Sequence, residues 1–406
     1  MTPSVSAVLD DAVPATAADD VEFISQIHLN PATELVPTGQ RGIDLDYLRR
    51  YVRALEDGGF DYTLLPYGSS TADSLALAGA VGQLAERLKV VVAVRPNIAF
   101  PLVVAQQLAT IDQLNRGRTV VHLISGGSDA EQARQGDFLP KDRRYARTAE
   151  FLQLLRRAWT ETAPFDHEGE FYRFEGFGPA YPTYRGEALP ISIGGQSDEA
   201  FRIGGEFADV FSFWGEPLAD IRSQIDRVDA IAAQAGRADR PRYWVTFRPI
   251  IGATDELAWE KAHDHLARIE RTYREGAFFA KGIAAPGAPQ NVGSQRALAF
   301  AERSERYDRA LWTPTAAATG GTGAATALVG SPETVAAAIL DYIDLGASLV
   351  SIRGYDNLND LVDYGRHVLP LVRAELAHRK ATGRRGSLQA DHPGGFAEPA
   401  PAGADR

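Results

Sequence analysis

The chain has 406 residues, 45% apolar and 9% aromatic, enough to bury the core of one large domain or two ordinary ones. Its 42 basic and 53 acidic side chains give a formal charge of −11 without a basic stripe, which argues against nucleic acid as a partner. Cysteine is absent, excluding disulfides, thiolate metal sites and cysteine nucleophiles, and no stretch approaches the roughly 20 apolar residues of a membrane span.

Residues 1–20 are rich in alanine, proline and acids and read as disordered, with no basic and apolar secretory pattern, so a cytoplasmic protein that does not engage a membrane is expected. Eight short apolar runs follow, at 22–28, 62–66, 89–94, 118–124, 189–194, 209–213, 243–251 and 348–354. Each is succeeded by a segment of helical period, as in Leu45, Leu48, Val52 and Leu55 after the first. The run KVVVAV has no polar alternation, the mark of a parallel strand covered on both faces. Eight such β/α units close into a (β/α)8 TIM barrel, here spanning 21–380. Residues 165–184 read as a small hairpin excursion, and 276–326 as a long insertion forming a mobile lid at the C-terminal face of the strands. Ser331, Pro332 and Glu333 open a helix with a cap, a first-turn proline and an acid. The tail 384–406, dense in Ala, Pro, Gly and charge, reads as disordered. A Rossmann domain is the alternative, but GGTGAATALVG has no strand before it and no acid about 20 residues on.

A barrel of this kind places its active site at the strand C-termini. The polar residues there are His28, Tyr67 to Thr71, Arg95, Asn97, His122, Ser125, Gln196, Ser197, Trp214, Arg248, Arg353 and Tyr355. They contain no acidic pair and no spaced Asp, Glu and His set, so no metal is expected. A site without its own reactive group imports one, as cofactor enzymes do. The glycine turn Gly194-Gly195-Gln196-Ser197 leads into a helix whose free N–H groups suit a phosphate, although an ordinary N-cap serine would look the same.

The run RLKVVVAVRPNIAFPLVVAQQLATIDQLNRGRTVVHLISGGSDAEQARQGDFLPKDRRYARTAEF resembles the corresponding segment of the alkanesulfonate monooxygenases, within the bacterial-luciferase-like flavin monooxygenases. LPISIGGQSDEAFRIGGEFADVFSFWGEP, NVGSQRALAF and TALVGSPETV extend the likeness, which covers about 22–375. The resemblance implies FMN, used in reduced form, with Tyr145, Gly195, Gln196 and Ser197 at the phosphate. It places His122 and Ser125 against the flavin ring, where the family usually has Asn and Thr. Of the family's substrate cluster of Cys, His, two Arg and Tyr, only Tyr355 is retained; Thr71 stands at the cysteine, Arg248 at the histidine, and Thr246 and Thr319 at the arginines, while Arg353 is gained. Arg248 and Arg353 are therefore expected to clamp the oxyanion of a small anionic substrate, Tyr355 to donate a hydrogen bond to the reacting oxygen, Thr71 to orient it, and His28 to complete the catalytic set. A salt bridge at the barrel mouth for Arg248, or a pairing of Arg353 with Asp356, stays open, because buried arginines must be paired. No nicotinamide fingerprint is visible, so a separate NAD(P)H-dependent flavin reductase is the implied partner. The expected reaction is desulfonation of an organosulfonate to sulfite and an aldehyde, in a homodimer or homotetramer. Oxygenation of a sulfone, aminocarboxylate or heterocycle, a deazaflavin-dependent dehydrogenation, and a non-catalytic flavin-binding or storage protein are the alternatives.

Overall fold

Each of the eight apolar runs supplies one strand: β1 Glu22–Gln26, β2 Tyr62–Leu65, β3 Lys89–Val94, β4 Thr119–Leu123, β5 Ile191–Gly194, β6 Val210–Trp214, β7 Arg242–Phe247 and β8 Ala347–Ile352. In this computed structural model, which describes residues 21–37, 42–178, 181–275, 289–321 and 326–390, every strand pairs in parallel with its sequence neighbour, and β8 pairs with β1 to close the barrel. The expected (β/α)8 barrel is thus the observed fold. Five of the six residues of β3 are buried, as its unbroken apolar pattern requires.

The helices pack outside through one face each. Helix Leu45–Asp57 starts where Asp44 accepts from the N–H groups of Asp46 and Tyr47, and it buries Leu48, Val52 and Leu55. Leu45 shares that helical period yet is 58% exposed. Ser331 caps the helix Pro332–Asp344 as its sequence implies, accepting from Thr334 N–H.

The run 243–251 is not one strand. Pro249 offers no N–H to the barrel ladder, so β7 ends at Phe247. Ile250–Ile251 instead joins Ala327–Gly330, Leu311–Trp312 and Arg306–Tyr307 in a small outer sheet. Strands Phe165–Glu168 and Arg173–Phe177 form an antiparallel hairpin within 165–184. In the described part of 276–326, helix Val292–Arg303 is fastened to the barrel by Arg296, whose Nε lies 2.8 Å from Glu216 Oε1. The expectations for 1–20 and 391–406 fall outside the described residues. Residues 384–390 are described, and there Arg385 reaches Asp344 at 3.2 Å while Gly386 N–H donates to Glu375.

Candidate active site

A cavity of about 390 Å³ opens at the C-terminal ends of β3 to β6, within the range of small-ligand sites. All six residues assigned to the cofactor from sequence line it: His122, Ser125, Tyr145, Gly195, Gln196 and Ser197. Two helix starts supply one wall. Helix Lys141–Thr160 carries Lys141 at its first position and Tyr145 one turn later; helix Asp198–Phe207 begins after Ser197, whose hydroxyl accepts from Ala200 N–H. The Ser197 and Tyr145 hydroxyls are hydrogen-bonded to each other. Gly195 must be glycine: its φ is +145°, and a Cβ there would come within 2.7 Å of the Ala200 Cβ and 3.2 Å of the Tyr145 hydroxyl. The turn therefore brings bare backbone, two hydroxyls, the positive ends of two helix dipoles and the Lys141 ammonium to one end of the cavity, a combination suited to a phosphate ester.

Further walls come from the ends of β4 to β6. His122 makes a 3.1 Å hydrogen bond from Nδ1 to Ser192 Oγ, and burial pushes its imidazole down to about 4, so it is neutral at pH 7. Ser125 sits 2.9 Å from the Thr148 hydroxyl. Because Thr148 gives its own proton to the Arg144 carbonyl, Ser125 must donate to Thr148, leaving its lone pairs as acceptors toward the cavity. A neutral imidazole, a hydroxyl acceptor and the Trp214 indole suit the polar edge and face of a planar heterocycle.

Several other lining residues had no assigned role, among them Arg95, Asn291, Val292 and Lys141. Arg95 closes the β3 side, 2.7 Å from Glu131 and over the Tyr67 ring. Asn291 and Val292 come from the 276–326 insertion, whose Gly293 approaches so closely that a Cβ would lie 3.0 Å from Trp214. Lys141 neighbours the recognised DRRY run, and a cation at a helix start beside it was the available signal. The Gln196 side-chain amide donates to Glu216, which also accepts from Gln224 and Arg296.

The five residues expected to act on substrate lie elsewhere. Arg248 is 2% exposed and forms a two-pronged pair with Glu34 at 2.9 and 3.2 Å. It also donates to the Gly354 carbonyl at 2.8 Å and lies over the Tyr355 ring at 3.7 Å. Burial alone would raise Glu34, yet Arg248 holds it down to about 2; burial would lower Arg248, yet Glu34 keeps it above its ordinary value. The barrel-mouth salt bridge is thus the observed state of Arg248, its partner lying in the loop after β1. Arg353 donates to Gln26 Oε1 at 3.1 Å, not to Asp356, and burial with the Arg248 charge lowers it to about 10. Tyr355 is buried and bonded to the Thr315 hydroxyl. The Asn357 amide faces His28 Nδ1 at 2.9 Å; burial, then Arg353, holds this histidine down to about 3. Thr71 stands apart from both groups, exposed, closing a turn with the Gly68 N–H and carbonyl. Thr319 donates to the carbonyls of Thr315 and Ala316.

Among solved structures, a riboflavin lyase described with modified FMN and riboflavin superposes with TM-score 0.71 at 19% identity, covering 91% of this chain and 93% of that one. The EDTA monooxygenase of a Chelativorans species gives 0.68 at 17% identity, covering 88% and 94%, and DmoA from Hyphomicrobium sulfonivorans gives 0.68 at 17%, covering 91% and 89%. At these identities the likeness is one of fold. The sequence profile of the luciferase-like monooxygenases matches residues 26–349, most of the barrel and the whole of the β3 to β6 cavity, but ends before Arg353 and Tyr355. The chain belongs to the luciferase-like monooxygenase family of flavin-dependent enzymes.

Proposed function

We propose that this protein is the oxygenase of a two-component system, taking reduced FMN from a separate NAD(P)H-dependent reductase and using it with O2 to oxygenate a small anionic organic molecule. The observation that carries the reading is the convergence of Tyr145, Gly195, Ser197, Lys141, His122 and Ser125 on one cavity, which brings groups suited to a phosphate together with groups suited to a planar ring. Tyr145, Ser197 and Lys141 would hold the phosphate; His122 and Ser125 would meet the ring edge. When bound, reduced FMN supplies the electrons that activate O2. Neutral His122 can exchange a hydrogen bond with the ring without placing a charge beside it. Asn291 and Val292 exclude water from one side.

The substrate class proposed first is an organosulfonate, cleaved to sulfite and an aldehyde. Two guanidinium groups and one carboxylate meet at the ends of β1, β7 and β8, which favours an anion there. Glu34 gives a second reading specific support: with Arg248 already bound to a carboxylate, Arg353 becomes the main anchor, and one arginine serves a carboxylate as well as a sulfonate. An aminocarboxylate, as the EDTA monooxygenase is named for, is therefore kept beside the sulfonate.

The deciding experiment couples the protein to a generic flavin reductase with NADH and FMN. It measures sulfite and substrate loss across alkyl, aryl and sugar sulfonates, a sulfone and an aminocarboxylate. Sulfite released from a sulfonate only when reductase and O2 are present supports the first reading; consumption of the aminocarboxylate without sulfite moves the assignment to the second. A cofactor retained through purification and reduced directly by NAD(P)H counts against a two-component enzyme, and preference for a deazaflavin over FMN overturns it.

A further inference from the structure

The barrel interior of this fold is ordinarily filled by layers of bulky side chains. Here the lower half holds a separate cavity of about 190 Å³, walled by Ile24, Val91, Val120, Val210, Leu349 and the Trp244 ring. Its polar wall groups are committed elsewhere. Asp209 accepts from Arg156 and from Ile191 N–H, Arg242 is bound to Glu22 and Ser348, the Tyr62 hydroxyl donates to Glu22, and Ser192 Oγ is bonded to His122. Among the described residues the one wall donor without a hydrogen-bond partner is the Trp244 indole N–H, on a side chain 3% exposed. Away from its polar rim the walls are apolar side chains, which hold a water poorly. The space is larger than the roughly 150 Å³ engineered apolar cavity that takes up xenon or benzene, so its apolar part has room for a small gas molecule.

Position gives the space a use. Its roof is Ser192 and Trp244, and both touch His122, Ser192 through the 3.1 Å hydrogen bond and Trp244 with ring centroids 5.4 Å apart. His122 is in turn a wall of the cofactor cavity. The floor lies at the N-terminal ends of the strands, where Pro190 is exposed and the Asp209 and Arg242 side chains are each 40% exposed. One residue layer therefore separates an apolar space rimmed by solvent-exposed side chains from the proposed flavin site, on the barrel face away from the substrate mouth. Of the molecules a flavin-dependent monooxygenase must bring together, O2 is small and apolar; flavin, nicotinamide and an anionic substrate are neither.

We propose that this lower cavity is an O2 site, collecting the gas at the N-terminal face and delivering it past Ser192 and Trp244 to the floor of the cofactor cavity. The proposal rests on the flavin-dependent assignment, and its test is arranged so that the two fail separately. Crystals pressurised with xenon should show it bound between Val120, Val210 and Trp244 whether or not flavin is present. Val120→Phe should fill the space and slow the bimolecular reaction of O2 with the protein's bound reduced FMN about tenfold in stopped-flow mixing, with affinity for reduced FMN unchanged. Val91→Ile, which adds one methylene, should give a smaller fall in the same rate and serves if the phenylalanine is not tolerated. Absence of xenon from the cavity overturns the gas site, as does an O2 rate equal to wild type in the filled variants. Failure of the wild-type protein to bind reduced FMN would instead remove the cofactor assignment, and the delivery role with it, and would be seen in the titration, not in the xenon maps.

Discussion

The two halves of the barrel mouth are built on different principles. On the β3 to β6 side, recognition is led by the backbone: a glycine turn, two helix starts and short hydroxyls surround a cavity. On the β1, β7 and β8 side, long charged side chains meet one another, and the cluster is held by the pairing of Arg248 with Glu34. The first half is shaped by main-chain conformation and remains open for a ligand. The second has answered part of its own charge, so its net field depends on which partners fold against it.

Breaking that pair should give the largest effect. Glu34→Ala leaves the Arg248 charge buried without its carboxylate and should cost about 3 kcal/mol in urea unfolding, while affinity for reduced FMN stays within twofold of wild type. A loss of flavin binding equal to the loss of stability would show that the halves are one unit.

Acid tests one histidine from each side. His122 and His28 both have native pKa values depressed from 6.5, to about 4 and about 3, so the unfolded chain binds more protons below pH 6.5. Stability is therefore intact above pH 6.5 and is lost as pH falls toward 4 and then 3, by about 1.4 kcal/mol per unit for each histidine. Burial is the cause for His122, whereas Arg353 contributes to His28. Arg353→Met should accordingly raise the His28 pKa in an NMR titration and leave His122 in place; equal movement of both would erase the distinction between the two sides.

Ser197→Ala combined with Tyr145→Phe should weaken binding of reduced FMN by tenfold or more, since hydrogen bonds to a charged group are worth about 1.5–3 kcal/mol, with stability falling by no more than the loss of a helix N-cap, about 0.5–2 kcal/mol. Anaerobic fluorescence titration measures it, and unchanged affinity would place the phosphate elsewhere. Smallest of all should be Thr71→Val. The hydroxyl closes only its own exposed turn, so turnover on the best substrate should match wild type and stability should move by less than about 0.5 kcal/mol. A large drop in turnover would restore Thr71 to the catalytic set.

The barrel and the Gly195 turn were legible in the sequence because their causes are local. An unbroken apolar run such as 89–94 needs cover on both faces wherever it lies, and Gly195 followed by the N-cap Ser197 fixes a turn and a helix start within a few residues. The end of β7 was equally written in Pro249, though the continuing apolar run masked it. What only the tertiary structure decided is the state of the charged groups. Arg248 and Glu34 are 214 residues apart, and nothing in the period or composition of either segment names the other. A buried guanidinium must find a partner, but which carboxylate reaches it depends on how the β1 loop crosses the mouth. The same holds for the space beneath His122: each strand's inward residues can be read from alternation, but whether eight of them fill the barrel or leave a void is set by their sum across all eight strands.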